Sequence, residues 1–545
     1  MEEKGLRGEE KLFNFRPILF GAIFFALGIL FYFYHRFNGF SAWWLLLLLF
    51  LAGLPFCFCK GKSDALSLLC KIGIVGGCFF LGVFSLLSQT AKFQRLDVIS
   101  GEYYVSSIVT EKRLGDNSAV FVLKDVAIEE KKAEGKLVLC LPFEYFDTVE
   151  LCDEVLLKGY VQTRTVNEKD FLLQASYIGK EIRYETFADE CVVAGSKFDF
   201  FLWIRSSVER ALEMGMDKTP SEVMKGVLLG ATSEIEDGLF DNIRFGGVSH
   251  IFAVSGLHVG SLFGLCMLAI KKTGLRRTPK FCRFLLVSLV LFLYAGVCGF
   301  TSSVVRATVI CALLFAFDLL GMKSDFLERL GTAAFFILFL KPSALFEVGF
   351  QLSFAACFGI AFLSKPIGQV LDERKNLLFK KKSDDVLEDG MEGLLLRVKA
   401  WRACRDFFAV SLAAQIFTAP LLLYHFGYVS CWALLLNCIF VPLISAGFLF
   451  VFGFALLATL LPIGWASVIL YVPNLFWSAL LLLFQGIDFS SFAISGLKIG
   501  GACILPYFIG CLFCSDKWNF KKSFKRMLAI ACFLAFAVGV YAMNV

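Results

Sequence analysis

Residues 246–260 read GGVSHIFAVSGLHVG and place two histidines, His250 and His258, with two serines and four glycines at the mouth of an otherwise apolar segment. In hydrocarbon an unpaired imidazole or hydroxyl is costly, so His250, Ser255 and His258 must face protein or water. Gly256 and Gly260 lie four residues apart, where a missing side chain lets another backbone or a substrate come close. The same residues support two readings. One is tight helix packing around satisfied histidines, and the other is a polar path through a membrane.

Further polar groups recur along the chain. Arg306 lies a turn into an apolar run, after GFTSSVV with its Ser302 and Ser303. A guanidinium at that depth requires a partner or water. The run beginning near residue 346 enters from the same face and carries Glu347 at its start and Gln351 one turn deeper, so Glu347 is the candidate partner of Arg306. Such a pair either fixes helix orientation as a buried salt bridge or touches a substrate. Gln415 lies within SLAAQIFTAP, and His425 and Asn437 flank its outer exit. Singly these are interhelical hydrogen-bonding residues; together they form a polar set on several helices.

The histidines number four, at 35, 250, 258 and 425, without HxH or HExxH spacing, and GxxxxGK[ST] is absent. The sequence therefore encodes neither a zinc hydrolase site nor a phosphate loop, and no catalytic residue, metal ligand or cofactor is expected. The 63 phenylalanines supply lipid contact or stacking faces for a nucleic-acid strand.

The elements that position these groups follow from composition. With 58% hydrophobic and 18% charged residues over 545 positions, and a mean hydropathy of +0.72, the expected class is a polytopic α-helical membrane protein. Residues 1–90 carry three predicted spans, near 17–34, 41–59 and 71–89. The first is followed by HRFNGF, which reads as a retained anchor rather than a cleaved leader. Residues 91–197 change pattern to β-rich segments: EYYVSSIVT, SAVFVLKDV, GKLVLCLP, EVLLKGYV and FLLQASYI. Five strands with turn-like spacers predict a small all-β domain of the OB type, with a sandwich as the alternative. Its excess of acidic over basic residues disfavours phosphate, whereas Tyr103, Tyr104, Phe143, Tyr145 and Phe146 either stack bases or fill the core. Cys140 and Cys152 lie here and are candidates for a disulfide. The other cysteines, including Cys57, Cys59, Cys511 and Cys514, read as membrane packing residues.

Residues 198–248 read as amphipathic interfacial helices. Phe200, Leu202, Trp203, Val208 and Leu212 fall largely along one side, and Arg205, Glu209 and Arg210 toward another. Residues 249–545 hold ten further predicted spans, near 251–270, 283–300, 303–322, 328–341, 346–364, 405–423, 444–462, 464–486, 494–514 and 526–543. The basic loops CKGK, KKTGLRRTPKFCR, KSDFLER, 365–405 and DKWNFKKSFKR all fall in the cytoplasm with thirteen crossings and a cytoplasmic amino terminus. The β-domain and the carboxyl terminus then lie on the exoplasmic side. The same parity makes 430–441 a re-entrant or interfacial element rather than a crossing.

Several of these motifs occur in an order that resembles the ComEC family, the inner-membrane channel of natural DNA uptake. They are DEVLLKGYV, KGVLLGATSEI, SHIFAVSGLHVG, LYAGVCGFTSSVVRA, KPSALFEVGFQLSFAA, SLAAQIFTAPLLLYHFG and LLLNCIFVPLIS. The resemblance implies a bacterial inner-membrane protein, with an OB-containing region before a polytopic competence domain, through which single-stranded DNA reaches the cytoplasm. Many family members continue into a metallo-β-lactamase-like domain with an HxHxDH site, and no such motif occurs in this sequence. By the resemblance, the partners are single-stranded DNA, membrane lipid, and a DNA receptor, a helicase or a separate nuclease. A secondary transporter of a small or amphipathic solute is the alternative; no second copy of SHIFAVSGLHVG or VGFQLSFAA is present to form the internal repeat such a transporter often shows.

Overall fold

The structure is a computed structural model. It describes residues 17–37, 65–94, 100–115, 117–164, 177–232, 234–252, 254–321, 325–379, 391–459, 461, 465–515 and 522–544.

Two apolar helices open the described chain: α1 (Pro17–Phe37) and α2 (Ala65–Gln94). Their backbones touch because glycines face each other. A Cβ on Gly28 would fall 2.0 Å from the carbonyl oxygen of Phe79, and one on Gly82 would fall 2.1 Å from that of Phe25. In a bilayer, where burying apolar surface against lipid gains little, such close approach is what holds helices together. Glu328 caps α1 by accepting the Ile18 and Leu19 amides at 3.0 and 3.3 Å, placing a carboxylate near the start of that helix. The expected span at 41–59 lies outside the described residues.

The β-domain is a closed barrel. Strands β1 (Gly101–Leu114), β2 (Ala119–Ile128), β3 (Lys136–Leu141), β4 (Asp153–Thr163) and β5 (Ile182–Phe187) follow the cyclic order β1-β2-β3-β5-β4-β1. Only β3 and β5 run parallel. A short helix, α3 (Tyr145–Thr148), joins β3 to β4. This is an OB-like barrel; its interior is filled by alternate residues such as Phe121, Leu123, Leu137, Leu139, Val155 and Tyr184. A sixth strand, β6 (Val192–Ser196), pairs with the first residues of β4.

Of FLLQASYI, expected as the fifth strand, residues 171–176 lie outside the described residues and Tyr177 begins a helical turn; IRYETF takes the fifth position in the barrel. The candidate disulfide is corrected. Cys140 and Cys152 are free thiols. Cys140 pairs with Val120 on β2, whereas the Cys152 amide donates to the Val109 carbonyl on β1, so strands β1 and β2 both stand between them. Three strand spacings of about 4.8 Å exceed what a disulfide can bridge. Of the five aromatics, Tyr103, Tyr145 and Phe146 pack on the barrel core, and Tyr104 and Phe143 are exposed.

Three short helices, α4 (Phe200–Gly215), α5 (Lys218–Leu229) and α6 (Asp237–Phe245), lead into the bundle. In α4 the expected faces are rearranged. Leu202, Val208, Ala211 and Leu212 are buried, and Arg205 turns inward to pair with Glu209 at 3.0 Å. Phe200 and Trp203 point outward.

The bundle continues as α7 (Ser249–Phe252), α8 (Gly256–Lys272), α9 (Lys280–Val297), α10 (Ser302–Leu319), α11 (Phe326–Leu340), α12 (Val348–Phe379), α13 (Met391–Phe426), α14 (Ala433–Thr459), α15 (Tyr471–Gln485), α16 (Gly501–Phe513) and α17 (Lys522–Asn544). A two-stranded ladder, β7 (Tyr428–Ser430) with β8 (Ala493–Ser495), ties the start of α14 to the segment before α16. Among the described residues, seven helices are long and apolar enough to cross a membrane: α1, most of α2, α9, most of α12, most of α13, α14 and α17. Shorter apolar stretches lie at Tyr471–Leu482 in α15 and Cys503–Phe513 in α16.

The expected break at 430–441 is not there. Residues 433–459 form one helix through Pro442, whose missing amide costs one bond that neighbouring helices in a bundle can compensate. The broken element lies instead at the histidine motif, where α7 stops at Phe252 and α8 starts anew at Gly256.

Candidate functional site

The break before α8 is built by its own sequence. Ser255 adopts an extended backbone as the N-cap of α8. Its amide donates to Nδ1 of His258 at 3.1 Å, and its hydroxyl lies 3.3 Å from the same nitrogen. This reciprocal cap satisfies donors that a helix start leaves open. With Nδ1 accepting, the proton of the neutral ring sits on Nε2. His258 is fully buried, its ring 4.5 Å from that of Phe448 on α14, and Nε2 has no hydrogen-bond partner among the described residues. A buried donor without an acceptor costs about 1–3 kcal/mol, so packing explains one face of this histidine and not the other.

Around it, α14 seals the motif. The turn at Gly247 (φ +75°) brings its backbone so close to α14 that a Cβ there would lie 2.5 Å from that of Ala433. Asn437, one turn further along α14, is buried with its Oδ1 unpartnered. His250 lies on the bundle surface, within electrostatic reach of His258. Ala307 of α10 neighbours Gly256, where an added Cβ would make only an ordinary contact at 3.4 Å, and no described residue lies near Gly260, so neither glycine is required by a close approach.

Ala307 adjoins the second cluster. Arg306, 2% exposed, donates to Ser303 Oγ at 3.1 Å and to the carbonyl of Gly349 at 2.8 Å. Ser302 opens the same helix. Glu347, two residues before Gly349, is within electrostatic reach of Arg306, yet its carboxylate also meets Lys341 at 2.5 Å. Lys341 is thus a cation of the site that sequence reasoning passed over, because KPSALFE reads as a loop. The barrel docks here. A Cβ on Gly179 would fall 2.7 Å from Glu347 Oε1 and 2.6 Å from Lys341 Cε, while Ile178 packs with Phe346 and Phe350.

One turn deeper, Gln351 joins α12 to α13. Its Oε1 lies 2.8 Å from Nε2 of His425, and its amide nitrogen donates to the Leu345 carbonyl at 3.1 Å. Gln415 is not part of this cluster. It sits ten residues before His425, about 15 Å away along the helix, with Nε2 unpartnered. Apart from Gln415, the predicted polar residues therefore gather at the barrel side of the bundle, in two groups joined through Gly256 and Ala307.

A third charged cluster was not anticipated. Lys225 of α5, almost fully buried, contacts Glu213 and Glu234 at 2.6 Å each, beside the Arg205–Glu209 pair. Burial alone would push its ammonium down, but the two carboxylates carry it above the usual lysine value. Replacing Lys225 with Met is expected to lower stability by about 2–3 kcal/mol, since Glu234 loses its buried counterion while the more exposed Glu213 rehydrates. Thermal unfolding in detergent checks this; an unchanged midpoint would show the network to be dispensable.

The fold and site define a polytopic helical membrane protein with a small β-barrel docked over buried polar groups at one end of its bundle. Residues 227–492 match the family model described as competence protein. The chain is 27% identical over 220 residues to ComE operon protein 3 of Bacillus subtilis, covering 40% of this chain and 24% of that protein. It is 28% identical over 163 residues to an uncharacterized protein, MG316 homolog, of Mycoplasma pneumoniae, covering 30% of this chain and 41% of that one. The chain thus spans less than half the length of either relative. No solved structure matches it. The match over residues 227–492 and the similarity to ComE operon protein 3 support a protein of the ComEC family.

Proposed function

We propose that the chain forms a channel for single-stranded DNA in the bacterial cytoplasmic membrane during natural transformation, passing the strand from the barrel side to the side of the basic loops. The observation that carries this reading is the coincidence of two things. The segment similar to competence proteins, 227–492, is the one that bears His258, Arg306, Glu347, Gln351, His425 and Asn437. Ionisable groups inside a membrane bundle are rare and carry a functional reading by default. Arg306 is suited to phosphate by charge and geometry, and the exposed Tyr104, with Lys158 over its ring at 5.7 Å, offers a stacking face on the barrel.

In this reading the amino terminus is cytoplasmic and the barrel and carboxyl terminus exoplasmic, with thirteen crossings, because that arrangement alone puts every basic loop inside. The chain conducts and does not cut, since four dispersed histidines cannot assemble a two-metal site. Strand separation or degradation then falls to partners such as a DNA receptor, a helicase or a separate nuclease.

Deleting the gene is expected to leave labelled DNA bound at the cell surface but to abolish its entry into the cytoplasm. Undiminished entry in the deletion strain would overturn the proposal.

A further inference from the structure

The edge strand β6 and the start of α4 present apolar surface that none of the described residues covers. All five residues of β6 are exposed, so Val192 and Val193, which point to opposite faces of the strand, are both uncovered. An edge strand bare on both faces is a liability in water. Phe198, 78% exposed, follows it, and Trp203, 53% exposed, lies against Phe198 with ring centroids 6.3 Å apart. Phe200 is exposed beside them.

The level of this patch is set by its neighbours. Phe201 packs edge-on against Phe292 and Phe300 and fills the place where Gly296 lacks a side chain, at the barrel-side end of α9. Helix α9 has eighteen residues, hence a length of about 27 Å, close to the hydrocarbon thickness of a bilayer. Its barrel-side end therefore lies at the boundary between acyl chains and headgroups. Asp199, the N-cap of α4, accepts the Phe201 and Leu202 amides and a 2.5 Å contact from Lys124 of β2. The Lys197 amide donates to the Cys152 carbonyl. The base of the barrel is thus bolted to a helix that lies at that boundary, and the patch adjoins the exposed Phe292 and Phe300 through Phe201.

We infer that Phe198, Phe200 and Trp203 insert into the barrel-side leaflet, so that the lipid surface itself holds the base of the β-domain, with β6 lying along it. Aromatic side chains favour this depth, where an apolar ring meets a wet rim. The inference does not depend on what the bundle carries. Anchored both here and at Gly179 on the Lys341–Glu347 pair, the barrel is held at two separate points over the buried polar cluster.

Photoreactive benzoylphenylalanine placed singly at Phe198, Trp203 or Phe187 of the full chain, in vesicles of phosphatidylethanolamine and phosphatidylglycerol, tests this. Phe187 is the control, because it is equally exposed but lies opposite Tyr160, seven residues along β4 from its start at Asp153. On illumination, lipid adducts detected by mass spectrometry are expected at 198 and 203 in severalfold excess over 187. Equal yields at all three positions, or adducts at 198 and 203 formed chiefly with a second protein chain, would overturn the inference.

Discussion

Replacing Arg306 with Met is expected to reduce transformation by at least about 100-fold, the scale of a lost charge-assisted contact of ~3 kcal/mol, while the protein still inserts. The geometry separates the two effects. Glu347 retains Lys341 when the guanidinium is removed, so no isolated carboxylate is left in the bundle. What is lost within the fold is the pair of bonds to Ser303 and to the Gly349 carbonyl, costing about 2 kcal/mol. Transformation frequency and the amount of protein in the membrane, measured together, read the two effects apart. The double variant Arg306→Met with Glu347→Leu decides the role. If transfer recovers in it, Arg306 serves only to balance Glu347, and its place in a DNA path must be given up.

His258 is expected to behave differently under two conservative replacements, because its two nitrogens do different things. The shorter asparagine side chain has no atom where Nε2 stands but presents an oxygen near the position of Nδ1, so His258→Asn keeps the cap on α8 and deletes the orphaned donor. His258→Gln keeps a distal amide donor and gives up the cap. The Asn variant should fold at near wild-type yield yet lose most DNA transfer. The Gln variant should be less stable, by about 1 kcal/mol for the lost cap, and retain part of its transfer. Transfer that tracks stability across the two variants, rather than the distal donor, would reduce His258 to a packing and capping residue.

The fold is legible to different depths along the chain. Apolar length alone marks α1, α9 and α17, because eighteen or more apolar residues have few alternatives to a membrane helix. Alternation marks four barrel strands but not the fifth: IRYETF, interrupted by Arg183 and Glu185, carries a weak apolar pattern, and closure of the barrel against β3 and β4 is what marks it as a strand. Pro442 and Asn437 together suggest a break in α14 that tertiary contacts do not require, whereas the actual break sits at Ser255, whose N-cap chemistry is present in the motif.

For the site, residue types and spacing by themselves determined that His258, Arg306, Glu347, Gln351, His425 and Asn437 needed partners, since the cost of burying a polar group depends only on what it is. Which partner each one found was decided by the tertiary structure. Lys341 reaches Glu347 from the turn that ends α11, Gln351 and His425 meet across α12 and α13, and Gly349 lends Arg306 a carbonyl. Gln415, chemically as demanding as the rest, was left apart. Hydrogen bonds act over about 3 Å, and helices separated by scores of residues come within that distance only through the crossing and close approach of their backbones, which no local pattern in the chain encodes.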